Sequence, residues 1–230
     1  RGAFNDTPAQ TLGGHVIAAA VERAGVEPGE VQDVIMGAAL QQGATGQNTA
    51  RQCALRAGLP VTVPAMSVDR QCSSGMMAIG IAAKQIISDG MTIAVGGGLE
   101  SISLVQNDKM NRHRVKDPWL VEHRPDVYMT MIETAETVAE RYGIGREAQD
   151  EYALKSQQRT AAAQEAGRLE DAIVPLTTNM KVQDRETKEI SDREITRQKD
   201  EGNRPSTTPE GLQSQAPVFN DGQTIVEGKF

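Results

Sequence analysis

The chain is poor in several residue types on which common classes of protein depend. Its 230 residues include one Trp, three Tyr, three Phe, three His and two Cys. Two cysteines cannot form a disulfide framework, and His15, His113 and His123 lack the spacing of a zinc site. We therefore expect no bound metal. The low cysteine content also indicates a reducing compartment, and we predict the cytoplasm.

An excess of basic residues and long apolar runs are missing as well. The net charge is −7 and the isoelectric point is near 5.1. No basic face is evident that could neutralise a run of phosphates, so we expect no nucleic-acid partner. The apolar runs fall short of the roughly 20 residues that cross a bilayer. No basic segment followed by an apolar run opens the chain, and we expect no membrane association.

The composition changes near residue 102. Residues 1–102 hold 15 of the 22 glycines, with 6 basic and 8 acidic residues, whereas residues 103–230 hold 18 basic and 23 acidic residues. Short apolar runs bounded by Gly and Pro are typical of strands that alternate with helices. The first part is therefore predicted to be α/β, with a helix over residues 11–25 and a strand over 34–40.

Residues 61–102 predict a strand, a turn, a helix, a second turn and a strand. The helix, residues 74–88, is apolar almost all round, which predicts burial on most of its sides. The glycine run at 96–98 fits neither a P-loop nor a dinucleotide fingerprint, and we interpret it as a turn packed near the site. The apolar residues of the helix over residues 74–88 are Met76, Met77, Ile79, Ile81, Ala82, Ala83, Ile86 and Ile87.

Cys72 lies at the first bend of this segment and is the candidate nucleophile. A thiol at the start of a helix feels the positive end of the helix dipole and several unpaired N–H groups, which favour the thiolate. The same donors can stabilise an oxyanion on an acyl carbon attached to the sulfur. From topology alone, a small cysteine that fills a tight turn is an alternative. Cys53, in a helix-like run, is predicted to be a small buried residue.

Five separated segments carry a resemblance to a known family. Residues 69–79, DRQCSSGMMAI, resemble the Asn-Arg-x-Cys-x-Ser-Gly acyl-enzyme motif of the thiolase family, with Asp69 in place of the usual Asn. Four more segments resemble thiolase sequences in the same order along the chain. They are residues 46–52, 95–103, 134–144 and 149–158. The chain is therefore similar to acetyl-CoA C-acetyltransferases and 3-ketoacyl-CoA thiolases.

The resemblance implies a fold and its division into domains. It implies a layered α/β N-terminal half, with a mixed sheet and a buried helix, and an α-rich loop domain. We expect the N-terminal domain, without its first strand, over residues 1–102 and the loop domain over 103–217. Residues 218–230 would begin the return to the core, and the C-terminal domain is absent from the sequence.

The second part of the chain gives its own local expectations. Helices are predicted over residues 134–142 and 146–166, followed by a strand over 172–176. Residues 181–209 are charged and nearly free of large apolar groups, so we expect an exposed, mobile excursion. His113 and His123 lie in a charged segment where a base for Cys72 is conceivable, although the family takes its histidine from elsewhere.

The resemblance also implies an activity and its site residues. A Cys72 thiolate would take an acyl group from an acyl-CoA, and acetyl-CoA or CoA would then accept it. Met131 would line the pantetheine channel and Arg204 would approach the nucleotide end of CoA; a core methionine and a solvated arginine are the alternatives. Thr130 stands where some members have a CoA-contacting His. No permanently bound cofactor is expected, because CoA and acetyl-CoA are substrates.

In the family, a second domain supplies an active-site Asn, the histidine of Gly-His-Pro and the cysteine of Cys-x-Gly, and neither of the two motifs occurs in this sequence. We expect a C-terminal half to supply that His and Cys as acid and base, and the chain alone to be inactive. A homodimer or homotetramer is expected from the family. Two alternatives remain, a non-catalytic fragment that only dimerises and a relative of the ketoacyl synthases. Residues 149–158 favour a thiolase over a synthase.

Overall fold

The structure is a computed structural model that describes residues 2–219. It divides into two compact units. Of the described residues, the first contains 2–111 and 174–198, and the second contains 112–173 and 199–219. Most of the segment 218–230, predicted to return to the core, lies outside the described residues. No helix among the described residues is both long and apolar enough to cross a membrane.

The first unit is built around a three-stranded parallel sheet. Its strands are β1 (Asp33–Gly37), β2 (Ala65–Val68) and β3 (Ala94–Gly98). They pair in the order β2-β1-β3, with Gly37 opposite Val68 and Gly98. The carboxyl ends of all three strands therefore meet at one edge. The elements are α1 (Ala9–Ala24), β1 (Asp33–Gly37), α2 (Thr49–Arg56), β2 (Ala65–Val68), α3 (Ser74–Ser88), β3 (Ala94–Gly98) and α4 (Ile102–Val105).

Helices cover both faces of the central strand, which explains why β1 is buried along its whole length. Val34 and Met36 pack with α1 and α2 on one face, while Ile35 packs with Ala78 and Ala82 of α3 on the other. Alternate residues of a strand point to opposite faces, so an unbroken apolar run suits a strand between two layers. The expected layered α/β class is confirmed.

Helix α3 is buried on one narrow stripe rather than on most of its sides. Ser74, Ala78 and Ala82 are its buried residues, at the four-residue spacing that lines one helix face. The exposed fractions of Met76 and Ile87 reach 76% and 81%. The expectation from the apolar sequence was wrong for this unit, because the described layers fully bury only this stripe, with Ile81 partly buried beside it.

The glycine run forms strand β3 rather than a turn, although it does pack beside the site as expected. A Cβ on Gly96 would lie 2.9 Å from Ile79 Cα, and one on Gly98 would lie 3.1 Å from Gly75 Cα. Gly37 is tighter still, since its Cβ would lie 2.2 Å from the Ser74 carbonyl carbon. Glycine thus allows α3 to approach the sheet backbone closely.

Residues 181–209 are mostly exposed, as expected, but the segment is not an irregular excursion, because its part up to Arg197 belongs to a β-hairpin. Strand β4 (Leu176–Gln183) pairs antiparallel with β5 (Ile190–Arg197). Threonine and alternating apolar residues suit a half-exposed ladder, which a count of charges overlooks. The strand predicted over residues 172–176 begins only at Leu176, after a 3₁₀ turn at Glu170–Ala172.

The hairpin is held to the start of the chain by side-chain hydrogen bonds. Asn5 Nδ2 donates to the Lys181 carbonyl at 2.8 Å, and the Lys181 N–H donates to Asn5 Oδ1 at 3.0 Å. The hydroxyls of Thr7 and Thr178 lie 2.8 Å apart. Lys181 Nζ also lies 2.6 Å from Asp192, which raises the pKa of the lysine. The hairpin is therefore part of the first unit.

The second unit is helical, as predicted. Its elements are α5 (Pro118–His123), α6 (Met131–Tyr142), α7 (Arg146–Glu165) and α8 (Pro209–Gln213). Helix α6 starts with a capping box between Thr130 and Glu133 and ends at Gly143 in the left-handed conformation. The predicted helices over residues 134–142 and 146–166 are confirmed, with α6 starting earlier at Met131.

The contact at Gly37 can be tested with a matched pair of glycine substitutions. Gly37→Ala places a methyl group against backbone atoms of Ser74 and Gly75, which have no flexible end that can move aside. We expect it to lower the free energy of unfolding by about 3 kcal/mol or to prevent folding. At Gly80 of α3, an added Cβ would have no described atom within 4 Å apart from its own stretch of helix, so Gly80→Ala should stabilise the helix by up to about 1 kcal/mol.

Chemical denaturation followed by circular dichroism measures both changes. Equal stability of the two variants would contradict the close approach of β1 and α3.

Candidate active site

Cys72 lies in an exposed turn at the carboxyl edge of the parallel sheet. The turn joins β2 to α3, and the Cys72 thiol is free and exposed. In open α/β sheets this edge is where ligands bind, because loops and helix N-termini meet there. The position agrees with the predicted nucleophile at the start of a helix. It does not agree with the alternative of a small cysteine that fills a tight, packed turn.

Two side chains fix the backbone of this turn. Ser74 Oγ accepts from the Arg70 N–H at 2.8 Å and donates to the Gln71 carbonyl at 2.5 Å. Asp69 Oδ1 accepts from the Gln71 N–H at 2.7 Å. Residue 69, where the family usually has Asn, thus caps the turn through an oxygen that either side chain possesses.

Gln71, immediately before Cys72, has a left-handed backbone with φ of +49°. For a residue with a side chain this conformation costs about 1 to 2 kcal/mol relative to the ordinary regions. Strained residues persist only where surrounding contacts determine them, and they cluster at active sites. Both polar groups of the Gln71 backbone are hydrogen-bonded, to Asp69 and to Ser74. These bonds offset the strain.

Two N–H groups that were expected to be unpaired at the helix start have partners in the structure. The Ser73 N–H donates to the Arg70 carbonyl at 3.1 Å, and the Ser74 N–H donates to the Gln71 carbonyl at 3.0 Å. The expectation of several unpaired donors was therefore too generous for Ser73 and Ser74. The helix dipole still points its positive end at the turn.

Among the described residues, the Cys72 thiol takes part in no side-chain hydrogen bond or ion pair. His113 and His123 lie in the second unit. His123 stacks on Trp119 with ring centroids 4.3 Å apart, and its Nδ1 lies 2.9 Å from the Trp119 carbonyl oxygen. His15 is part of α1, and its Nε2 has no hydrogen-bond partner within residues 2–219.

Cys53 is a packing residue, as predicted. It is fully buried in α2, with its sulfur 3.9 Å from the Ala9 carbonyl oxygen and from the Thr49 hydroxyl. Burial raises the pKa of the Cys53 thiol, and the contact with Thr49 opposes this rise more weakly. Gly13 of α1 makes room for the sulfur, since a Cβ there would lie 2.4 Å from it.

Met131 is the first residue of α6 in the second unit, and its side chain is 74% exposed. It is not a core methionine among the described residues. The Thr130 hydroxyl before it donates to Glu133 at 2.8 Å, and the Thr130 N–H donates to the same oxygen at 2.7 Å. These two bonds, the backbone one first, lower the pKa of Glu133. Where some thiolases have a CoA-contacting His, this chain has a helix cap.

Arg204 lies in an exposed loop of the second unit that α7 holds in place. The Arg204 N–H donates to Gln157 Oε1 at 2.7 Å, and Asn203 Nδ2 donates to the same side chain at 2.8 Å. The guanidinium group of Arg204 forms no hydrogen bond or ion pair within the described part of the chain. Its backbone is fixed while its charge is free.

A cleft of about 510 Å³ in the second unit contains none of the predicted site residues. Arg146 lines it, but its guanidinium is engaged, with Nε 3.0 Å from Asp150 and Nη2 2.7 Å from the Leu212 carbonyl oxygen. The cleft therefore gives no indication of the chemistry. No group of His, Cys, Asp and Glu among residues 2–219 is arranged to hold a metal ion.

The structure adds residues around Cys72 that sequence reasoning missed. The Ser74 hydroxyl, the left-handed Gln71 and the contact at Gly37 all shape the turn. Glu100 accepts from the Ala39 N–H at 2.7 Å and orders the chain after β1. A glycine at the end of a buried strand was a possible signal for Gly37. Nothing in the sequence indicates a left-handed Gln71.

Comparison with known proteins now decides the family. Residues 1–230 match the family described as Thiolase, N-terminal domain. The chain belongs to the thiolase family. The crystal structure of the Bacillus anthracis acetyl-CoA acetyltransferase superimposes with a TM-score of 0.81 at 37% identity, over 99% of this chain and 57% of that one.

Curated relatives give the same result. An acetyl-CoA acetyltransferase of Cupriavidus necator is 44% identical over 76% of this chain and 47% of its own length. A 3-ketoacyl-CoA thiolase of Bacillus subtilis is 37% identical over 94% of this chain and 55% of its own length. The chain thus spans about half the length of the curated relatives it matches.

The role of Asp69 as a turn cap leads to a test with two substitutions. Asp69→Asn keeps the oxygen that accepts from the Gln71 N–H, so its stability should stay within about 0.5 kcal/mol of the original. Asp69→Ala removes the acceptor and should lower the free energy of unfolding by about 1 kcal/mol. Urea denaturation measures both, and similar values for Asn and Ala would contradict the capping bond.

The two cysteines should respond differently to iodoacetamide as the pH rises. Cys72 is exposed and should be labelled at least about tenfold faster than Cys53 at pH near 8. Because burial favours the neutral thiol, the folded pKa of Cys53 lies above its unfolded pKa of about 8.5. The neutral thiol therefore contributes fully to stability below the unfolded pKa. This contribution is lost as the pH rises through the folded pKa. Cys53 labelling should therefore appear only with alkaline destabilisation.

Peptide mass spectrometry measures the labelling of each cysteine, and protein unfolded in urea serves as the control in which both react. Equal labelling of the two cysteines in the folded protein would contradict this difference.

Proposed function

We propose that this chain is the nucleophile-bearing half of an acyltransferase that acts on acyl-CoA thioesters. The observation that carries the proposal is the exposed thiol of Cys72 in a hydrogen-bonded turn at the start of α3, within the thiolase motif. The relatives named above as acetyl-CoA acetyltransferase and 3-ketoacyl-CoA thiolase support it.

In the first step the Cys72 thiolate attacks the carbonyl carbon of the acyl-CoA. The new bond between sulfur and carbon forms, the bond between that carbon and the sulfur of CoA breaks, and CoA leaves with a proton. In synthesis, the carbanion of a second acetyl-CoA then attacks the acetyl group, the bond from the carbonyl carbon to the Cys72 sulfur breaks, and acetoacetyl-CoA leaves. In cleavage, the Cys72 thiolate instead attacks the 3-keto carbon of a 3-ketoacyl-CoA, the bond between C2 and C3 breaks, and acetyl-CoA leaves as a carbanion that takes up a proton. CoA then attacks the acyl group on Cys72, and the Cys72 thiolate is released. A covalent thioester divides one difficult transfer into two easier steps.

The oxyanion of each step needs hydrogen-bond donors. The N–H groups of Ser73 and Ser74 already donate to carbonyls within the turn. The backbone N–H of Cys72 is therefore the donor that we assign to the oxyanion from this segment, aided by the positive end of the α3 dipole.

CoA contacts are assigned to Met131 and Arg204. Met131 carries a largely exposed thioether suited to an apolar contact with pantetheine. The free guanidinium of Arg204 suits the phosphates at the nucleotide end of CoA. CoA and acetyl-CoA bind as substrates, and the proposal includes no permanently bound cofactor.

The remaining chemistry is assigned to a C-terminal half. The Gly-His-Pro histidine and the Cys-x-Gly cysteine, which serve as acid and base in thiolases, do not occur in these 230 residues. We infer that the complete protein contains them, that it assembles as a homodimer or homotetramer in the cytoplasm, and that this chain alone is inactive.

A non-catalytic interaction module is the second candidate. It is favoured by the apolar face of α3, where Met76, Ile79 and Ile87 are largely exposed. Contiguous apolar surface of this kind usually meets another polypeptide. Copurification of a polypeptide with Gly-His-Pro and Cys-x-Gly would distinguish the catalytic half from the module, which needs no such partner.

Substitution of the nucleophile tests the proposed reaction in the full-length protein. After incubation with acetoacetyl-CoA, the Cys72 peptide should gain an acetyl group of about 42 Da, as a covalent intermediate requires. Cys72→Ser should abolish the thioester adduct and lower kcat by at least about 1,000-fold without unfolding the protein.

The matched control is Cys53→Ser, in which activity should be nearly unchanged. Intact-mass and peptide mass spectrometry provide the readout. Full activity of Cys72→Ser, or an adduct on Cys53, would exclude Cys72 as the acyl carrier.

A further inference from the structure

We propose that Ser74 is a positioning residue for the Cys72 nucleophile, because its hydroxyl holds the preceding turn in the strained shape that presents the thiol. The proposal rests on the proposed acyl transfer. It goes beyond it by assigning a function to a side chain that does not itself react.

The hydroxyl of Ser74 bonds to the turn on both sides of its strained residue. It accepts from the Arg70 N–H at 2.8 Å and donates to the Gln71 carbonyl at 2.5 Å. Gln71 has φ of +49° and directly precedes Cys72. A change of this backbone angle would swing the N–H and the side chain of Cys72 together. The Ser74 hydroxyl therefore controls the direction in which the thiol points.

Ser74 is also the part of this segment that cannot move. Its side chain is 4% exposed, and its backbone lies so close to Gly37 of β1 that no Cβ would fit there. Cys72 and Gln71, in contrast, are exposed. Hydrogen bonds from the fixed Ser74 to the exposed turn thus transfer the rigidity of the sheet to the nucleophile.

An ordinary helix cap does not account for these bonds. The N-cap residue of α3 is Ser73, whose side chain accepts no capping hydrogen bond. Ser74 is the first residue of the helix, and its hydroxyl bonds to Arg70 and Gln71, which precede the helix, instead of to N–H groups of its first turn. The geometry serves the turn.

Ser74→Ala tests the proposal in the full-length protein. Without the hydroxyl, the Gln71 backbone should relax toward ordinary φ values and the thiol should leave its productive direction. We expect kcat to fall about 10- to 100-fold with KM within about twofold, since misplacement of a reacting group acts on the chemical step. The rate of acetyl-adduct formation on Cys72 should fall by the same factor.

A rescue experiment separates positioning from a general structural role. Glycine adopts positive φ without steric cost, so Gln71→Gly should favour the native turn even when the hydroxyl is absent. Ser74→Ala combined with Gln71→Gly should recover kcat at least about threefold over Ser74→Ala alone. A loss that arises from a weakened helix start would not respond to glycine at position 71, and failure of the rescue would overturn the proposal.

Ser73→Ala is the matched control. It removes a neighbouring serine hydroxyl that makes no capping bond, so kcat should stay within about twofold of the original. Equal kcat values for Ser74→Ala and Ser73→Ala would overturn the proposal.

If Ser74→Ala does not fold, the double variant is compared with Gln71→Gly alone. If kcat of the double variant is within about threefold of kcat of Gln71→Gly, the proposal is supported. A larger loss of kcat, or a double variant that does not fold, overturns it.

The outcomes also separate this proposal from the proposed function. Iodoacetamide labelling of Cys72 needs no acyl-CoA, and its rate should change between the original protein and Ser74→Ala while the melting temperature changes little. An original protein that forms no acetyl adduct refutes the acyl transfer. An original protein that forms the adduct at the same rate as Ser74→Ala refutes the positioning role alone.

Discussion

The approach of two backbones at Gly37 is the constraint on which the rest of the first unit depends. The end of β1 and the start of α3 lie so close that a single added carbon would overlap main-chain atoms of Ser74. Gly96 and Gly98 of β3 meet the same helix in the same way. Contacts between main chains have no rotamers through which to adapt, so they fix the helix relative to the sheet more strictly than side-chain packing does.

The close contact between the sheet and α3 fixes the position of the exposed Cys72 through very few atoms. The backbone of Ser74 packs against Gly37, and the Ser74 hydroxyl donates to the carbonyl of Gln71, the residue before Cys72. Asp69 secures the other side of the same residue. A reactive thiol must be open to its substrate and still keep one orientation. Hydrogen bonds from a rigid neighbour fix the orientation of the thiol and leave it accessible, whereas packing around the thiol would block access of the substrate.

The sequence predicted helix α3 and pointed to Cys72 as the candidate nucleophile because both depend on local signals. The bounds of α3 follow from its flanking glycines and serines, and the motif around Cys72 identifies the family. The exposure of Met76 could not be predicted, since apolar residues all round a helix do not reveal which of its neighbours are present.

Other features escaped because they depend on atoms that are distant in sequence or on backbone angles. The glycines at 96–98 permit a turn as readily as a strand, and only their partner helix decides between them. The hairpin was hidden by its charged residues, although its threonines and alternating apolar residues were visible. Gln71 has a left-handed backbone that its side-chain type disfavours, so no propensity predicts it.

The bond between Thr7 and Thr178 joins residues 171 positions apart, and it closes a unit whose sequence is interrupted by residues 112–173. As the chain leaves the ribosome, the sheet and its helices can collapse early, but the hairpin arrives only after the whole intervening unit has been made. Until then the N-terminal segment around Asn5 lacks its partner and remains open to proteases and chaperones. Completion of the first unit therefore depends on a segment that is translated after residues 112–173.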